Sequence, residues 1–436
     1  MRLKATPDDF QVHEATDLRI RQRPGPYRVY LLEKVGWNTV DALGRIARAR
    51  GVPLARFAYG GKKDRHARTS QYVTVADPRD LSLAAPGYTF RFLGYSDEPM
   101  GPDRILYNRF TLTIRELTPG EAERLQAGLR RVQEQGFINY FDDQRFGSLD
   151  RERGFIAERL LQGRWEEALA IALTAVHPEE SREAKARKRA LRERWGQWAE
   201  CLALSRTRFE REAFGMLAGA AEGAAPKRPE VPPQVRERAA GRPAAGPGAA
   251  ALASRRCGPF QAALARAPAE DRAMWAAAYQ AFLWNQWVAR LLRSRGWVAA
   301  WAPGRAGPYL FPGDLPPVAQ AELARWVLPL PGRGMRVGDP GLREALLDLL
   351  AERGLALRDL QGPPPVPGVD LRAVTRPVRI RPEGMAVGEP EPDDRYPGKL
   401  KLTVSFQLPR AAYATMLIKA AAARPGLPRE VWAPPA

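Results

Sequence analysis

The stretch FAYGGKKDRHARTSQYVTV, residues 57–75, sets a single carboxylate, Asp64, among lysines, arginines and glycines. Its aromatic and apolar ends read as two strands joined by a glycine-rich loop, the second strand being the β-branched run QYVTV. Gly60 and Gly61 permit a tight turn or a close backbone approach. Lys63 and Arg65 flank Asp64, and their charge would keep it ionised even where it is partly buried. A held, ionised carboxylate can act as nucleophile, general base or stabiliser of a cation. The same residues would also serve as a surface Lys–Asp–Arg cluster of little energetic weight. The lysine spacing does not fit a Walker loop, which argues against an enzyme of nucleotide phosphates.

Working outward, YRVYLLEK (27–34) has the composition and partial alternation of a strand, and Thr39 is expected to cap a helix that buries Val40, Leu43, Ile46 and Ala47 and stops at Gly51. RFTLTIR (109–115) alternates as a strand. Thr118, Pro119 and Glu121 then form a capping box for a helix with Ala122, Leu125, Leu129 and Val132 on one face, ending at Gly136. Residues 150–215 read as charged helices, and 219–253, rich in Ala, Gly and Pro, as a flexible loop. MWAAAYQAFLWNQWVARLL (274–292) is a strongly apolar helix. LKLTVSFQLP (400–409) alternates cleanly, and a helix is expected from about Ala411. A strand so like those of the first third suggests a core split by a long insertion.

The chain carries 68 Lys and Arg against 49 Asp and Glu, and the resulting charge of +19 points to a polyanionic partner, with a merely solvated basic surface as the alternative. Its 45% hydrophobic content can fill the cores of two or three domains. No apolar run approaches the about 18–20 residues of a membrane span. The opening MRLKATPDDF lacks a signal-peptide core. A soluble, cytoplasmic protein is therefore expected. Two distant cysteines, Cys201 and Cys257, and three scattered histidines suggest neither a disulfide framework nor a metal site.

GFINYFDDQRFG (136–147) interleaves aromatic residues with Asn139, Gln144 and Arg145. Rings can stack on bases and amides can read base edges, although a hydrophobic turn under the core would look similar.

Taken together, KATPDDFQVHE, YGGKKDRHARTSQ, NYFDDQRFG, AAYQAFLWNQ and FQLPRAAYATML, in that order, resemble the tRNA pseudouridine synthase D (TruD) family over essentially the whole chain. Gly61, Lys63, Asp64, Ala67, Thr69 and Gln71 meet its most specific pattern. The resemblance implies an α+β fold: a catalytic domain with a mixed, largely antiparallel sheet, interrupted by an inserted α/β TRUD domain. The catalytic part would span 1–150 and 376–436, with a helical segment and the insertion at 151–375. It also implies isomerisation of uridine to pseudouridine in tRNA, at uridine 13 in bacterial members, with no cofactor and no metal.

By the same resemblance Asp64 is the essential catalytic residue. Phe10 and Lys4 line the active site, Asn139 and Phe141 contact and stack on the uracil, and Tyr413 lies at the substrate, with Lys63 helping to hold RNA. Three features depart from the family pattern. Gly60 replaces an alanine, Ala411-Ala412 replace Gly-Ser, and Asp142-Asp143 stand where small residues are usual. The set of RNAs and the oligomeric state are not fixed by the sequence, and a monomer is compatible with it. The competing reading is a non-catalytic RNA-binding or chaperone protein on the same scaffold.

Overall fold

A computed structural model of the chain describes residues 1–178, 180–223 and 258–428. The expected loop at 219–253 lies outside these from residue 224 onward, as does Cys257. Its first five residues are the end of a helix instead.

The first third folds as β1 (Arg2–Leu3), β2 (Phe10–Thr16), β3 (Tyr27–Val35), α1 (Thr39–Arg50), β4 (Phe57–Tyr59), β5 (Arg68–Val75), β6 (Leu83–Ala85), β7 (Tyr88–Ser96), β8 (Ile105–Leu117), α2 (Pro119–Gln135) and β9 (Phe137–Ile138). Helices α3 (Ile156–Leu161), α4 (Trp165–Thr174), α5 (Arg182–Glu193), α6 (Trp198–Leu204), α7 (Arg208–Gly223), α8 (Pro259–Leu264) and α9 (Ala269–Ser294) follow. A mixed region holds β10 (Val298–Ala302), β11 (Tyr309–Pro312), α10 (Pro317–Arg325), β12 (Val327–Pro329), α11 (Pro340–Glu352), α12 (Leu357–Gln361), β13 (Thr375–Pro377) and β14 (Arg379–Ile380). The chain then returns through β15 (Glu383–Val387), β16 (Glu391–Pro392), β17 (Leu400–Pro409), α13 (Ala414–Ala421) and β18 (Arg424–Pro425).

The principal sheet runs β15-β17-β8-β2-β5-β3-β7-β6, with β1 on β8, β16 on β17 and β4 on β5. Every pairing in it is antiparallel except β2 with β5. It is therefore mixed and largely antiparallel, and its strands come from residues 2–117 and 383–409. Residues between supply helices and three small antiparallel pairings, β9-β14, β12-β13 and β10-β11, the last joined by the C-terminal β18. No helix among the described residues is long and apolar enough to cross a membrane.

Period-2 alternation explains how β17 turns one face into the core, between the edge strand β15 and β8. Leu402, Val404, Phe406 and Leu408 are all buried, and β17 pairs with β8 along nearly its whole length. On α2 the capping box forms as expected: Thr118 Oγ1 accepts from the Glu121 N–H (3.3 Å) and the Thr118 N–H donates to Glu121 Oε2 (2.9 Å). The buried face of α2 (Leu125, Leu129, Val132) joins one large core with α9 and α13. A second core, built on Tyr30, Leu32, Leu43, Ile46 and Phe90, lies under α1.

Two expected helix starts shift. Asn38, not Thr39, is the N-cap of α1. The last helix begins at Ala414 because Ala411 adopts a left-handed conformation (φ 64°), which a right-handed helix cannot include.

Candidate active site

Asp64 sits on the loop between β4 and β5, and three buried side chains fix that loop from below. Lys34, 1% exposed, donates from Nζ to the carbonyls of Asp64 (2.8 Å) and Lys63 (3.2 Å). Thr39 Oγ1 accepts from the Lys63 N–H (2.9 Å) and donates to Gln71 Oε1 (2.8 Å). Gln71 Nε2 in turn donates to the Gly61 carbonyl (3.0 Å). The hydroxyl expected to cap α1 is thus spent on the loop. It also becomes clear why a glutamine seven residues past Asp64 belongs to the pattern. Gly60 answers the first departure from the family: a Cβ there would fall 2.5 Å from Ile105 Cδ1 and 3.1 Å from the Gly101 carbonyl.

The charge on Asp64 is held differently from the expectation. Lys63 turns to Glu14 (2.7 Å) and Asn108 (2.7 Å), and Arg65 reaches the Gly36 carbonyl (3.3 Å). Lys4, at the end of β1, donates to Asp64 Oδ2, while the His66 N–H donates to Oδ1 at 2.9 Å. Burial pushes the Asp64 carboxyl up. The Lys4 and His66 hydrogen bonds and the charges of both residues outweigh it and hold the group below its usual value. Lys4 takes this position with φ 62°, a conformation uncommon for any residue but glycine, and its ammonium lies 4.2 Å from the centre of the Phe10 ring.

Lys4, Phe10, Lys63, Asp64 and Tyr413 all line one open cavity of 570 Å³, together with Asn108, Gln144 and Thr415. Five of the seven candidate residues are therefore brought together. Asn139 and Phe141 are not on its wall. They are 3% and 6% exposed and lie one layer behind, with the Phe141 ring edge-on to Tyr413 at 6.3 Å. Asn285 of α9 pins the backbone of Phe141, accepting from its N–H and donating to its carbonyl, both at 2.9 Å.

The residue that ties this rear layer together is Arg376, which no sequence signal marks. Its guanidinium lies 4.0 Å over the Phe141 ring and donates to the Asn139 carbonyl and Oδ1 and to the Ala411 carbonyl. Burial lowers its pKa to about 10, opposed by Tyr413 and reinforced by Arg145.

Asp142 and Asp143 also find their place. Lys419 of α13 reaches both (2.5 and 2.7 Å), Thr415 donates to Asp142, and Asp143 accepts from Tyr309 OH (2.8 Å) and the Arg305 N–H (2.7 Å). They clasp α13 to the loop and to β11, and neither stands as a free acid near the cavity.

The family described as tRNA pseudouridine synthase D (TruD) matches residues 1–304. Leptospira interrogans tRNA pseudouridine synthase D is 31% identical over 431 residues, covering 96% of this chain and 95% of that one. The Aquifex aeolicus tRNA pseudouridine synthase D is 27% identical over 432 residues, covering 96% and 97%. The fold matches the crystal structure of a Methanosarcina mazei protein described as TruD with a TM-score of 0.66 at 21% identity, over 96% and 93% of the two chains. The chain belongs to the tRNA pseudouridine synthase D (TruD) family of isomerases.

Proposed function

We infer that the chain converts a uridine of tRNA, position 13 in the D-arm, to pseudouridine, with Asp64 as the reacting group. The observation that carries this reading is the placement of Asp64: one ionised carboxylate, fixed by Lys4 and the His66 N–H, on the wall of a cavity shared with Phe10 and Tyr413. Family membership supports the substrate class, and the charge of +19 suits a polyanion.

The target base leaves its stack to reach such a cavity, which costs a few kcal/mol that aromatic contact offsets. The Asp64 carboxylate then attacks either the ribose anomeric carbon or the uracil ring. The N1–C1′ bond breaks, the uracil rotates, a C5–C1′ bond forms, and the bond to Asp64 breaks to free the carboxylate. The C5 proton is lost and N1 gains one, so the product is an isomer. Tyr413 faces the base, Phe10 and Lys4 shape the side nearest Asp64, and Lys63 lies within reach of a phosphate. Asn139, Phe141 and Arg376 set Tyr413 from behind.

The test is incubation with unmodified tRNA transcripts in EDTA, without added cofactor, followed by carbodiimide-dependent primer extension. A stop at one uridine with wild type, absent with Asp64→Asn, supports the reading. Full activity of Asp64→Ala sinks it. Salt-sensitive tRNA binding without any stop favours a non-catalytic RNA-binding protein.

A further inference from the structure

Beside the candidate active site lies a second cleft, of 680 Å³, whose wall includes Asp143, Glu152, Arg151, Arg189, Arg192 and Arg305. The two cavities meet at the clasp just described: Asp143 lines this one and its neighbour Gln144 lines the other. Helix α5 contributes Arg189 and Arg192 to this wall. Arg182, Lys185, Arg189 and Arg192 follow spacings of three, four and three, which puts all four on one helical stripe about 15 Å long. Leu191, fully buried, anchors the opposite side of the helix.

The acids of this cleft already have cations. Asp143 pairs with Lys419 (2.7 Å), Asp150 with Arg153 (2.7 Å) and Glu152 with Arg192 (2.9 Å). Arg189 has no carboxylate partner among the described residues. Among the described residues, the Arg305 guanidinium meets only the His177 ring, Nη2 to Nδ1 at 3.3 Å. Burial, followed by the charge of Lys188, pushes that imidazole towards its neutral form, with Glu180 opposing and Arg305 reinforcing. Guanidinium forks left over in an open cleft match phosphate oxygens in geometry as well as charge.

We propose that this cleft, with the α5 stripe that continues it, takes the sugar–phosphate backbone of the substrate RNA beyond the target nucleotide, with Arg189 and Arg305 in the cleft and Arg182 farther along the stripe as the phosphate-binding cations. The proposal rests on the reading that the neighbouring cavity takes a nucleotide of RNA. It assigns to the helical segment a task in substrate recognition: holding the part of the tRNA that a small stem-loop lacks.

The test measures binding in an Asp64→Asn background, where turnover does not interfere. The parent and an Arg182→Gln/Arg189→Gln/Arg305→Gln variant are titrated with a full tRNA transcript and with a short hairpin carrying the target uridine. An Arg182→Gln/Arg189→Gln double variant, altered only on the exposed face of α5, serves if the triple variant folds poorly. Lost phosphate contacts raise the Kd for tRNA by about tenfold or more near about 0.1 M KCl, and each removes about one from the slope of log K against log salt. The loss for the hairpin is several-fold smaller. Unchanged Kd and salt slope for tRNA, or equal losses on both RNAs, overturn the proposal. If the wild-type chain makes no pseudouridine but the variants still lose affinity and slope for tRNA, the assigned reaction falls and the backbone cleft stands.

Discussion

The Lys4 ammonium donates to Asp64 Oδ2 while resting on the face of Phe10, and it does so from a left-handed backbone. A strained residue that serves one contact at the centre of a cavity marks that contact as one the fold is organised to keep.

With Lys4→Met the burial of Asp64 is opposed only by the His66 N–H and charge, so its pKa rises. The acid limb of kcat/KM against pH then moves up by about one to two units. The sign follows from the direction of the shift in wild type. A depressed carboxyl contributes its stabilisation above the unfolded value and loses it as pH falls through the folded one. A limb that stays in place in the variant would remove Lys4 as the group that sets the charge of Asp64.

Lys34 works in the opposite sense. Burial lowers its pKa to about 8, opposed by the charge of Asp64 and reinforced by that of Lys63. Between that value and the ordinary lysine range the unfolded chain holds more protons, so wild type gains stability as pH rises through this window. Lys34→Met lacks the titration. The urea midpoint of wild type therefore climbs relative to the variant between about pH 8 and about pH 10. The variant also frees the Lys63 and Asp64 carbonyls, and kcat falls about tenfold or more at every pH as the loop loosens. Parallel stability curves would show that burial does not depress the Lys34 ammonium.

Much of this site was legible because its residues obey local rules. The capping box at Thr118, the alternation of β17 and the glycine loop around Asp64 are short-range patterns, and a resemblance in ordered motifs placed Lys4, Phe10 and Tyr413 near them. What escaped depends on pairing between distant segments. Lys34 was hidden although YRVYLLEK contained the signal: Tyr30, Leu32 and Lys34 share one strand parity, so the lysine points inward with the core residues. Arg376 offered no signal, since its partners Asn139 and Ala411 lie on other segments. Charge adjacency in sequence misled outright. Lys63 neighbours Asp64 in the chain yet pairs with Glu14, whereas Lys4 comes from another strand.

Arg376→Met leaves two buried oxygens, the Asn139 carbonyl and Oδ1, and the part-buried Ala411 carbonyl without their donor. A loss of roughly 3 kcal/mol or more in unfolding free energy is expected. Arg376→Lys recovers only part of it, because an ammonium cannot reproduce the planar fork. At a temperature where the lysine variant remains folded, kcat on tRNA still falls, since Tyr413 has lost its backing. Wild-type kcat in a folded Arg376→Lys protein would show that the rear layer does not set the cavity wall.

Gly128 of α2 faces the end of α13, and a Cβ there would lie 1.9 Å from the Ala421 carbonyl oxygen. That atom is backbone, so the helix itself must move. Gly128→Ala is expected to destabilise by roughly 1–3 kcal/mol. Because α13 carries Thr415 and Lys419, the displacement also strains the clasp on Asp142 and Asp143. A melting temperature unchanged from wild type would contradict the close helix contact.

Ala411 holds φ 64°, so the backbone keeps a shape its side chain disfavours. The left-handed form costs an alanine about 1–2 kcal/mol. Glycine removes that strain but gives the unfolded chain about 0.5–1 kcal/mol of extra freedom. The difference makes Ala411→Gly more stable by about 0.5 kcal/mol. Ala411→Val, β-branched and more strained, should lose about 1–2 kcal/mol. Thermal unfolding of the three proteins side by side decides it. The order glycine, alanine, valine supports a left-handed residue before Tyr413, and a reversed order would mean that the aromatic side chain is delivered to the cavity by a different turn.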